Sequence, residues 1–405
     1  MMNKLKVLYC TYDGLLDPLG QSQILPYLFK FKSFIYKLNV ISFEKKKLIS
    51  KTEKLNKQLR NQNINWKHFF FTNKLFFIGK AFDYLKIFLY IIYALFFKNI
   101  DIVHSRGYFP IIFIFLLKKF KKFKLIFDMR GFWFDEKKDC GAINENSFFQ
   151  NKLYLFLMNI EKNLLKYSDV IIVLTHKAKT EIMNKYNIKD NKIFVIPCCS
   201  DYNFFKPLEF SSKIINKQKF NINKNDKVIA YLGSLGTWYM LDEMIQFFEN
   251  LLSINQNFYF LIISNDSNIK IKNIISSKNL SLGNRIILTN CERDKLPNVL
   301  GCADLLISFI KPYYSKIASS PTKFAESLAM GIPVVSNKGI GDIEDLTVRF
   351  NAGITIENSN LNNFNENDLK FVLNIDNKIL REQSRKYLSL EFAIEQYLEV
   401  YKSIN

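Results

Sequence analysis

The 405-residue chain is predicted to be an α/β protein with two doubly wound, Rossmann-like lobes facing a central cleft. Three observations predict this architecture. Apolar segments of strand length alternate with helical segments through both halves of the chain, which is typical of parallel sheets covered by helices. A polar stretch, residues 206–227, interrupts the alternation once, as a linker would. A glycine-containing turn follows the first strand of each half, where open parallel sheets bind ligands.

The first half alternates regularly. Strands are predicted at KVLYCTY, LNVISF, DIVHSRG, KLIFDMRG, DVIIVLT and KIFVIPCCSD. Helices are predicted at SQILPYLFKFKSF, AFDYLKIFLYIIYALFF, YFPIIFIFLLKKF, QNKLYLFLMNIEKNLLKYS and HKAKTEIMNKYN. This order implies one doubly wound parallel sheet for the first lobe.

The second half restarts the pattern after the predicted linker. Strands are predicted at VIAYLGS, FYFLIIS, RIILTNC, ADLLISFI and PVVS, and helices at MLDEMIQFFENLLSI, KLPNVLGC and TKFAESLAM. The C-terminal stretch REQSRKYLSLEFAIEQYLEVYKSI is predicted to be helical. The expected domains are therefore a first lobe at 1–205, joined by the C-terminal helix at about 385–405, and a second lobe at 206–384.

The chain is strongly basic, with a formal net charge of +20, most of it from lysine. Compositional bias explains this most simply, because Lys, Asn, Ile and Phe are all abundant, as an AT-rich genome would produce. Attraction to an anionic membrane surface is a second explanation, compatible with the first. Nucleic-acid binding is a third, but base readout relies on arginine, which is scarce here. We therefore expect no nucleic-acid partner.

The sequence also predicts where the protein resides. Its six cysteines show no CxxC pair, and no targeting segment precedes the first strand, so free thiols and a cytoplasmic location are expected. The most apolar stretch, residues 87–97, is well short of the roughly 20 residues that span a bilayer. Aromatic helices flanked by Lys86, Lys98, Lys118 and Lys119 are expected to be buried or to rest on the inner face of the cytoplasmic membrane.

The stretch SSPTKFAESLAMGIPVVS contains a complete helix signature. Ser320 is predicted to be the N-cap with Pro321 at the first helical position, and Gly331 to end the helix. Lys323 and Glu326 lie about one turn apart, so both can face a ligand at the helix N-terminus. A lysine suits a phosphate there, and a carboxylate suits a ribose diol. The alternative is a capped helix with two solvated charges.

Two glycine turns are candidate ligand loops. In YDGLLDPLGQSQ, Gly20 permits close approach of backbone to a ligand, and the following amides, starting with Gln21, can bind phosphate or sugar oxygens. In YLGSLGTWYMLDEM, the first turn of the second lobe, Gly233 and Gly236 again permit close approach to a ligand at the start of a helix. Neither turn has the GxGxxG pattern of dinucleotide binding, and a plain βα turn is the alternative.

Candidate catalytic residues follow two strands of the first lobe. In FDMRGFWFDEKKDCG, Arg130 can clamp phosphate or stabilise developing negative charge, and Asp135 or Glu136 can act as base or acceptor ligand. In HSRG, His104 ends another strand. Surface ion pairs and a buried structural histidine are the alternatives.

Taken together, these stretches resemble the GT-B glycosyltransferases of the group 1, or family 4, type, over nearly the whole chain. In that family the second glutamate of an E-x7-E motif holds the nucleotide ribose, and Glu326 matches it. The first glutamate would fall at Ala318, so this chain is similar to a subgroup with Ser-Pro-x-Lys-x-x-Glu. There Ser319, Ser320 and Lys323 are expected to take over sugar and phosphate contacts.

Two further positions depart from the family pattern. Ser234 stands near the place of the family's phosphate-binding arginine, and Arg130 stands near the place of its histidine in the first lobe. The expected catalytic residues are thus His104, Arg130, Asp135 and Glu136. The expected donor-binding residues are Gly20, Gln21, Gly233, Ser234, Ser319, Ser320, Pro321, Lys323 and Glu326.

The resemblance implies a retaining hexosyltransferase that uses a nucleotide-sugar donor and needs neither metal nor cofactor. It also implies that the lobe at 1–205 binds the acceptor and the lobe at 206–384 binds the nucleotide-sugar donor. The chain contains no DxD motif, by which other glycosyltransferases hold a divalent ion. The implied acceptor is a glycan or lipid-linked glycan of a bacterial surface polysaccharide, such as capsule or lipopolysaccharide. A nucleotide-sugar epimerase of the same fold and a non-catalytic binding protein are the alternative functions.

Overall fold

The computed structural model describes residues 5–32, 34–72, 76–112, 114–266, 282, 284–357 and 363–404. The chain divides into two compact α/β units, Met1–Pro197 with Ala393–Asn405 and Cys198–Phe392. Each unit contains a parallel sheet flanked by helices, so the predicted fold class is confirmed. The domain boundaries predicted from sequence, after 205 and after 384, both lie inside the second unit.

The first unit is built on a seven-stranded parallel sheet in the order β3-β2-β1-β4-β5-β6-β7. Its strands are β1 Lys6–Thr11, β2 Lys37–Glu44, β3 Ile64–Phe70, β4 Ile102–Arg106, β5 Lys124–Asp128, β6 Val170–Val173 and β7 Ile193–Val195. β1 pairs with both β2 and β4, so the order reverses beside it. Ligands bind at the carboxyl ends of strands flanking such a reversal.

The helices of the first unit connect these strands. They are α1 Pro18–Gln23, α2 Leu25–Phe31, α3 Ile49–Arg60, α4 Phe76–Phe97, α5 Ile114–Leu117, α6 Trp133–Asp139, α7 Phe148–Tyr167 and α8 His176–Tyr186. The helix predicted at YFPIIFIFLLKKF is wrong in length, because helix α5 has four residues. An apolar run without a polar face gives no periodicity from which to read helix ends.

The edge strand β3 and the helix α3 that precedes it were not among the elements predicted from the sequence. The first four residues of β3 alternate strictly between buried and exposed. This is the period-two signal of a strand with one solvated face, so the sequence contained the information needed to find it.

The second unit is built on a six-stranded sheet in the order β10-β9-β8-β11-β12-β13. Its strands are β8 Lys227–Leu232, β9 Phe258–Ile263, β10 Ile286–Thr289, β11 Leu305–Ser308, β12 Val334–Asn337 and β13 Gly353–Ile356. The helices are α9 Phe210–Gln218, α10 Leu241–Ile254, α11 Leu296–Leu300, α12 Thr322–Ala329, α13 Ile343–Phe350, α14 Glu366–Leu373 and α15 Asn377–Leu388. The last helix, α16 Leu390–Ser403, begins in this unit, and from Ala393 onward it belongs to the first unit. Two buried apolar clusters surround the sheet.

The predicted linker at 206–227 is wrong, because it contains helix α9. Lys213 and Lys217 on this helix form ion pairs with Asp304, at 3.0 and 3.3 Å. The polar composition that resembled a linker therefore serves a long-range charge contact in the second unit.

The predicted C-terminal helix is interrupted at Ser389, which is extended and separates α15 from α16. The backbone of Ser200 bonds to both sides of this break. Its N–H donates to the carbonyl of Leu388, and its carbonyl accepts from Leu390.

None of the helices in the described ranges is both long and apolar enough to cross a bilayer.

Candidate active site

Helix α12 of the second unit carries the central candidate residues. Pro321, in extended conformation, precedes its first residue, Thr322. The predicted N-cap role of Ser320 is wrong, since its hydroxyl accepts instead from the backbone N–H of Cys198 at 3.1 Å. Ser319 donates its N–H to the carbonyl of Lys316 and so closes the 3-10 turn before the helix.

The helix ends where the sequence predicted. Gly331 has a φ of +70°, the left-handed conformation that favours glycine. Its N–H donates to the carbonyl of Leu328, and the N–H of Ile332 donates to Ser327, both at 3.0 Å. These two bonds are a Schellman motif, which satisfies the last carbonyls of the helix. The short helix thereby acquires a defined end and presents its first turn to the ligand edge of the sheet.

Lys323 is buried among aromatic rings. Its Nζ lies 3.2 Å from the hydroxyl of Tyr231 and 4.4 Å and 3.7 Å from the ring centroids of Tyr231 and Tyr239. Burial lowers the pKa of Lys323 well below its ordinary value, because the charged form loses its hydration. Among the described residues no carboxylate lies within ion-pair distance of this ammonium group. The arrangement suits an anionic ligand group that would supply the missing countercharge.

Gly233 lies directly against this lysine. Its φ is +133°, and a Cβ added there would lie 3.0 Å from Lys323 Nζ. The neighbouring Ser234 contributes its backbone carbonyl, which accepts from the hydroxyl of Tyr231. Both predicted residues are thus brought to the lysine, and a side chain at 233 would crowd it.

Glu326 is held by an arginine that the sequence reading did not single out. Its Oε1 accepts from Arg293 at 3.1 Å. Burial raises the pKa of Glu326, and the Arg293 guanidinium opposes this shift. Arg293 lies just after β10, in the charged run CERDK. Arg130 was predicted as a site residue because it follows the carboxyl end of a strand, and the same criterion would have identified Arg293.

Another cationic side chain lies on the aromatic residue next to Tyr239. Lys316 is buried, with its Nζ 3.6 Å from the ring centroid of Trp238. The second unit therefore has three cationic side chains in the segments that follow two of its strands: Arg293 follows β10, and Lys316 and Lys323 follow β11. Position 234, near the place of the family's phosphate-binding arginine, is a serine.

In the first unit the predicted catalytic residues His104 and Arg130 meet at Asp128. The Asp128 carboxylate is fully buried and lies 3.7 Å from His104 Nε2, from Arg106 NH1 and from Arg130 NH1. The hydroxyl of Tyr397 donates to the same carboxylate at 3.2 Å. Arg106 was not selected from the sequence, although it stands in the same HSRG stretch as His104.

The backbone of Arg130 is strained. Its φ of +60° lies in the left-handed region, which is uncommon for a residue other than glycine. Such conformations concentrate at functional sites, because surrounding structure must enforce them.

His104 is a buried and neutral member of this cluster. Its Nδ1 lies 2.7 Å from the hydroxyl of Tyr401. Burial lowers the pKa of His104, so the uncharged imidazole dominates near neutral pH. It can donate or accept a hydrogen bond there but carries no charge.

The adjacent residues Asp135 and Glu136 have different environments on helix α6. Asp135 is buried and accepts from the hydroxyl of Tyr154 at 2.7 Å, and burial raises its pKa. Glu136 is partly exposed. The structure thus separates the two carboxylates that the sequence offered as alternatives, and only Glu136 reaches solvent.

The first glycine loop is packed against itself. A Cβ on Gly20 would lie 2.0 Å from the carbonyl oxygen of Gly14, so the close approach that Gly20 permits is to the chain's own backbone. Gln21 donates its side-chain amide to the carbonyl of Leu16 at 3.0 Å. Gly20 and Gln21 therefore help to form the loop, and their contact with a ligand stays a prediction.

A buried glutamate fixes the same loop. Glu44 accepts from the N–H groups of Leu15 and Leu16, at 2.8 and 3.1 Å, and from the hydroxyl of Ser42. Two of the amides that could have bound an external anion are thus already occupied by this carboxylate.

Comparison with known proteins identifies the family. The family model described as glycosyl transferases group 1 matches residues 212–387, and the model described as glycosyltransferase family 4 matches residues 53–204. Together they span about four fifths of the chain. The curated proteins contain no significant match.

Solved structures share the fold at low sequence identity. A glycosyltransferase from Rickettsia africae matches with 19% identity and a TM-score of 0.68, covering 99% of both chains. Anabaena Alr3699/HepE in complex with UDP and glucose matches with 14% identity and a TM-score of 0.70, covering 98% of this chain and 100% of the other. WaaG, a glycosyltransferase involved in lipopolysaccharide biosynthesis, matches with 15% identity and a TM-score of 0.66, covering 98% and 99%.

The two family models, the paired parallel sheets and the Lys323–Glu326 helix agree with one another. The chain belongs to the GT-B glycosyltransferases of the group 1, family 4 type, enzymes of nucleotide-sugar glycosyl transfer.

Proposed function

We propose that this enzyme transfers a hexosyl residue, with retention of anomeric configuration and without a metal ion, to a glycan or lipid-linked glycan of a bacterial surface polysaccharide. The observation that carries the donor half of this proposal is the buried pair of charged side chains on helix α12, Lys323 beside two tyrosines and Glu326 bonded to Arg293. The complex of the similar HepE protein with UDP and glucose supports a sugar nucleotide of that class.

Each donor residue has a distinct role in this proposal. Glu326 accepts from the ribose diol through the oxygen that Arg293 does not engage, while Arg293 holds its carboxylate in place. Lys323 supplies positive charge to the diphosphate, the task that a divalent ion performs in metal-dependent enzymes. Gly233 keeps the space beside Lys323 open for a phosphate oxygen.

The catalytic residues belong to the first unit. Arg130, held in a left-handed conformation beside Asp128, stabilises negative charge that develops on the leaving group. His104 orients the cluster as a neutral hydrogen-bonding group. Glu136 is the carboxylate available to a substrate, and the buried Asp135 accepts a hydrogen bond that joins helix α6 to Tyr154 of helix α7.

The acceptor side of the proposal rests on the surface of helix α4. Seven of its described large apolar side chains are exposed; this apolar stripe consists of Ile78, Phe82, Leu85, Leu89, Tyr93, Phe96 and Phe97. Lysines lie near the C-terminal end of the stripe: Lys98 Nζ is 5.6 Å from the ring of Tyr93, and Lys121 Nζ is 5.9 Å from the ring of Phe96. A helix with an apolar face and lysine flanks suits the surface of an anionic bilayer. We therefore place the enzyme at the cytoplasmic face of the membrane, where a lipid-linked acceptor would be found.

A donor screen tests the proposal. Sugar nucleotides are ranked by the thermal stabilisation they cause, because a ligand at 100 times its Kd stabilises the folded state by about 2.7 kcal/mol. The best donor is then incubated with and without candidate acceptors. Transfer that requires an acceptor and keeps the anomeric configuration supports the proposal. Conversion of the sugar nucleotide alone into an isomer would instead identify an epimerase.

Glu326→Gln is expected to weaken donor binding by roughly 10- to 100-fold, since a hydrogen bond to a charged group contributes about 1.5–3 kcal/mol. The fold should persist, because glutamine retains the shape of the side chain. Calorimetric titration of the donor measures the change, and Glu366→Gln, an exposed glutamate paired with Lys370, is the matched control. Equal affinity in wild type and Glu326→Gln would remove Glu326 from the site.

A further inference from the structure

Two arginines, Arg106 buried and Arg130 partly buried, lie close together at the ligand edge of the first unit. Arg106 ends β4 and is paired in register with Asp128, which ends β5, and Arg130 follows two residues later. Arg106 is only 4% exposed, and the side chain of Arg130 is 14% exposed. Arginine remains protonated in proteins, so this edge holds two positive charges close together.

Two carboxylates, Asp128 and Asp13, lie near these arginines, and they differ in burial. Asp128 is fully buried and lies 3.7 Å from a guanidinium nitrogen of each arginine, so one carboxylate serves two cations. The second countercharge is Asp13, whose Oδ2 lies 3.7 Å from Arg106 Nε and whose side chain is 47% exposed. The remaining neighbours of Asp128, His104 and Tyr397, are neutral and do not alter this balance.

The contacts within this group are loose. Each of the three carboxylate–guanidinium distances is 3.7 Å, longer than the usual 2.7–2.9 Å of a charge-assisted hydrogen bond. Arg106 Nε is buried and makes no hydrogen bond to any described residue, and the same is true of Asp128 Oδ1. A buried guanidinium nitrogen left in this state is costly unless a ligand satisfies it.

We propose that Arg106 and Arg130 form an anion subsite for a phosphate group of the acceptor, and that Asp13 is the displaceable counter-ion of that subsite. A phosphate dianion has enough oxygens to engage both guanidiniums, which bind such groups in a planar, two-pronged manner. The Asp13 side chain is about half exposed, so it can move away from Arg106 into solvent at little cost in free energy. The phosphate is assigned to the acceptor because Lys323 is proposed to bind the donor diphosphate and Arg130 to act on the leaving group in the transition state, whereas Arg106 has no proposed role toward the donor.

This inference rests on the proposed function only in assigning the phosphate to the acceptor; the anion subsite itself can be tested without any acceptor. Inorganic phosphate is titrated calorimetrically into the full-length protein at constant ionic strength, adjusted with chloride so that general screening stays fixed. Wild type, Arg106→Gln, Asp13→Asn and Lys323→Met are compared, each after its thermal unfolding curve shows a folded protein.

The variants are expected to move phosphate affinity in opposite directions. Arg106→Gln should weaken it at least tenfold, and Asp13→Asn should strengthen it several-fold because the competing carboxylate is gone. Lys323→Met removes the cation proposed to bind the donor diphosphate in the second unit. It should leave the affinity of phosphate for the first unit unchanged. Where Arg106→Gln does not fold, the exposed Asp13→Asn and the conservative Arg106→Lys still decide the question.

Two results would overturn the subsite. Phosphate binding that is lost in Lys323→Met and unaffected by both first-unit variants would place the only phosphate site in the second unit. Glucuronate competing more strongly than phosphate at Arg106 would exclude a phosphate-specific subsite. Failure of the proposed function has a different signature, because a wild-type protein that transfers no sugar from any nucleotide donor would still show the phosphate titration.

Discussion

Lys323, which we propose to bind the donor diphosphate, is buried in a way that lowers the stability of the fold. Its Nζ faces the rings of Tyr231 and Tyr239, and each such cation–π contact contributes about 0.5–2 kcal/mol. Those contacts only partly offset the loss of hydration, which is why the pKa of Lys323 falls. Glu326 opposes this fall from beyond ion-pair distance, and a diphosphate bound beside Lys323 would supply a closer negative charge.

Lys323→Met is therefore expected to raise thermal stability and weaken donor binding together. Between the depressed pKa of the folded state and the ordinary value of 10.5, the unfolded chain holds the lysine proton more tightly than the folded one. Stability of the wild type should thus rise with pH through that window, and the increase should vanish in Lys323→Met. Unfolding midpoints measured from pH 7 to 10 check this. A variant less stable than wild type at pH 7 would contradict it.

Arg130→Ala should lower kcat by roughly 10²–10³ with little change in donor affinity, because removing a preorganised charge donor acts on the transition state. Arg130→Lys should recover only part of the rate, since lysine lacks the planar fork. Arg130→Gly is the conformational control: it relieves the strain of a φ of +60° and should remain folded while losing the same activity. A kcat within a few-fold of wild type in Arg130→Ala would make the residue structural.

At the scale of the element, the end of helix α12 depends on one glycine. Gly331→Ala places a Cβ in the left-handed region and 2.8 Å from the carbonyl oxygen of Asn377. We expect a loss of unfolding free energy of at least about 1–2 kcal/mol, the usual cost of the left-handed conformation for an L-residue. Gly236→Ala is the matched control, because a Cβ there meets nothing within 4 Å. Equal denaturation midpoints for the two variants would show that the Schellman turn is not required.

Helix α4 shows how one element can serve both a core and a surface. Its inward residues Ile87, Ile91, Ala94 and Leu95 are fully buried, while the apolar stripe faces outward. A surface helix normally carries polar residues on its outer face. The departure is the reason for assigning this helix an interfacial role.

At the scale of the whole molecule, the charge of +20 and the apolar stripe predict salt-sensitive binding to anionic vesicles. Each lysine near an anionic surface contributes about 1 kcal/mol, and burial of a large apolar side chain about 1.5–3 kcal/mol. The double variant Phe82→Ser with Leu89→Ser should lose most cosedimentation with anionic vesicles. High salt should release the wild type, because the Debye length shrinks to about 3 Å at 1 M.

The control for this experiment lies in the second unit. Phe371 and Ile379 are exposed to a similar degree, so Phe371→Ser with Ile379→Ser removes comparable apolar area elsewhere. This variant should cosediment like the wild type. Equal recovery of wild type in the supernatant with anionic and neutral vesicles would refute the membrane assignment and leave compositional bias as the explanation of the charge.

Features that depend on neighbouring residues were readable from the amino-acid sequence. The alternation of strands and helices, the helix at SPTKFAESLAMG with its end at Gly331, and the one-turn spacing of Lys323 and Glu326 all follow from local conformational preferences. Element ends without a local signal were missed or misread, as in helix α5 and in the helix α9 that replaces the predicted linker.

Only the tertiary structure decided which charges meet. Arg293 reaches Glu326 across 33 residues, and Tyr397 reaches Asp128 across 269. It also showed that Gly20 packs on Gly14, that Ser320 bonds to Cys198 and that Arg106 shares Asp128 with Arg130. The physical reason is that the order of strands in a sheet determines which strand ends become neighbours, and no local preference encodes that order. Burial then sets how strongly the charges at those ends interact.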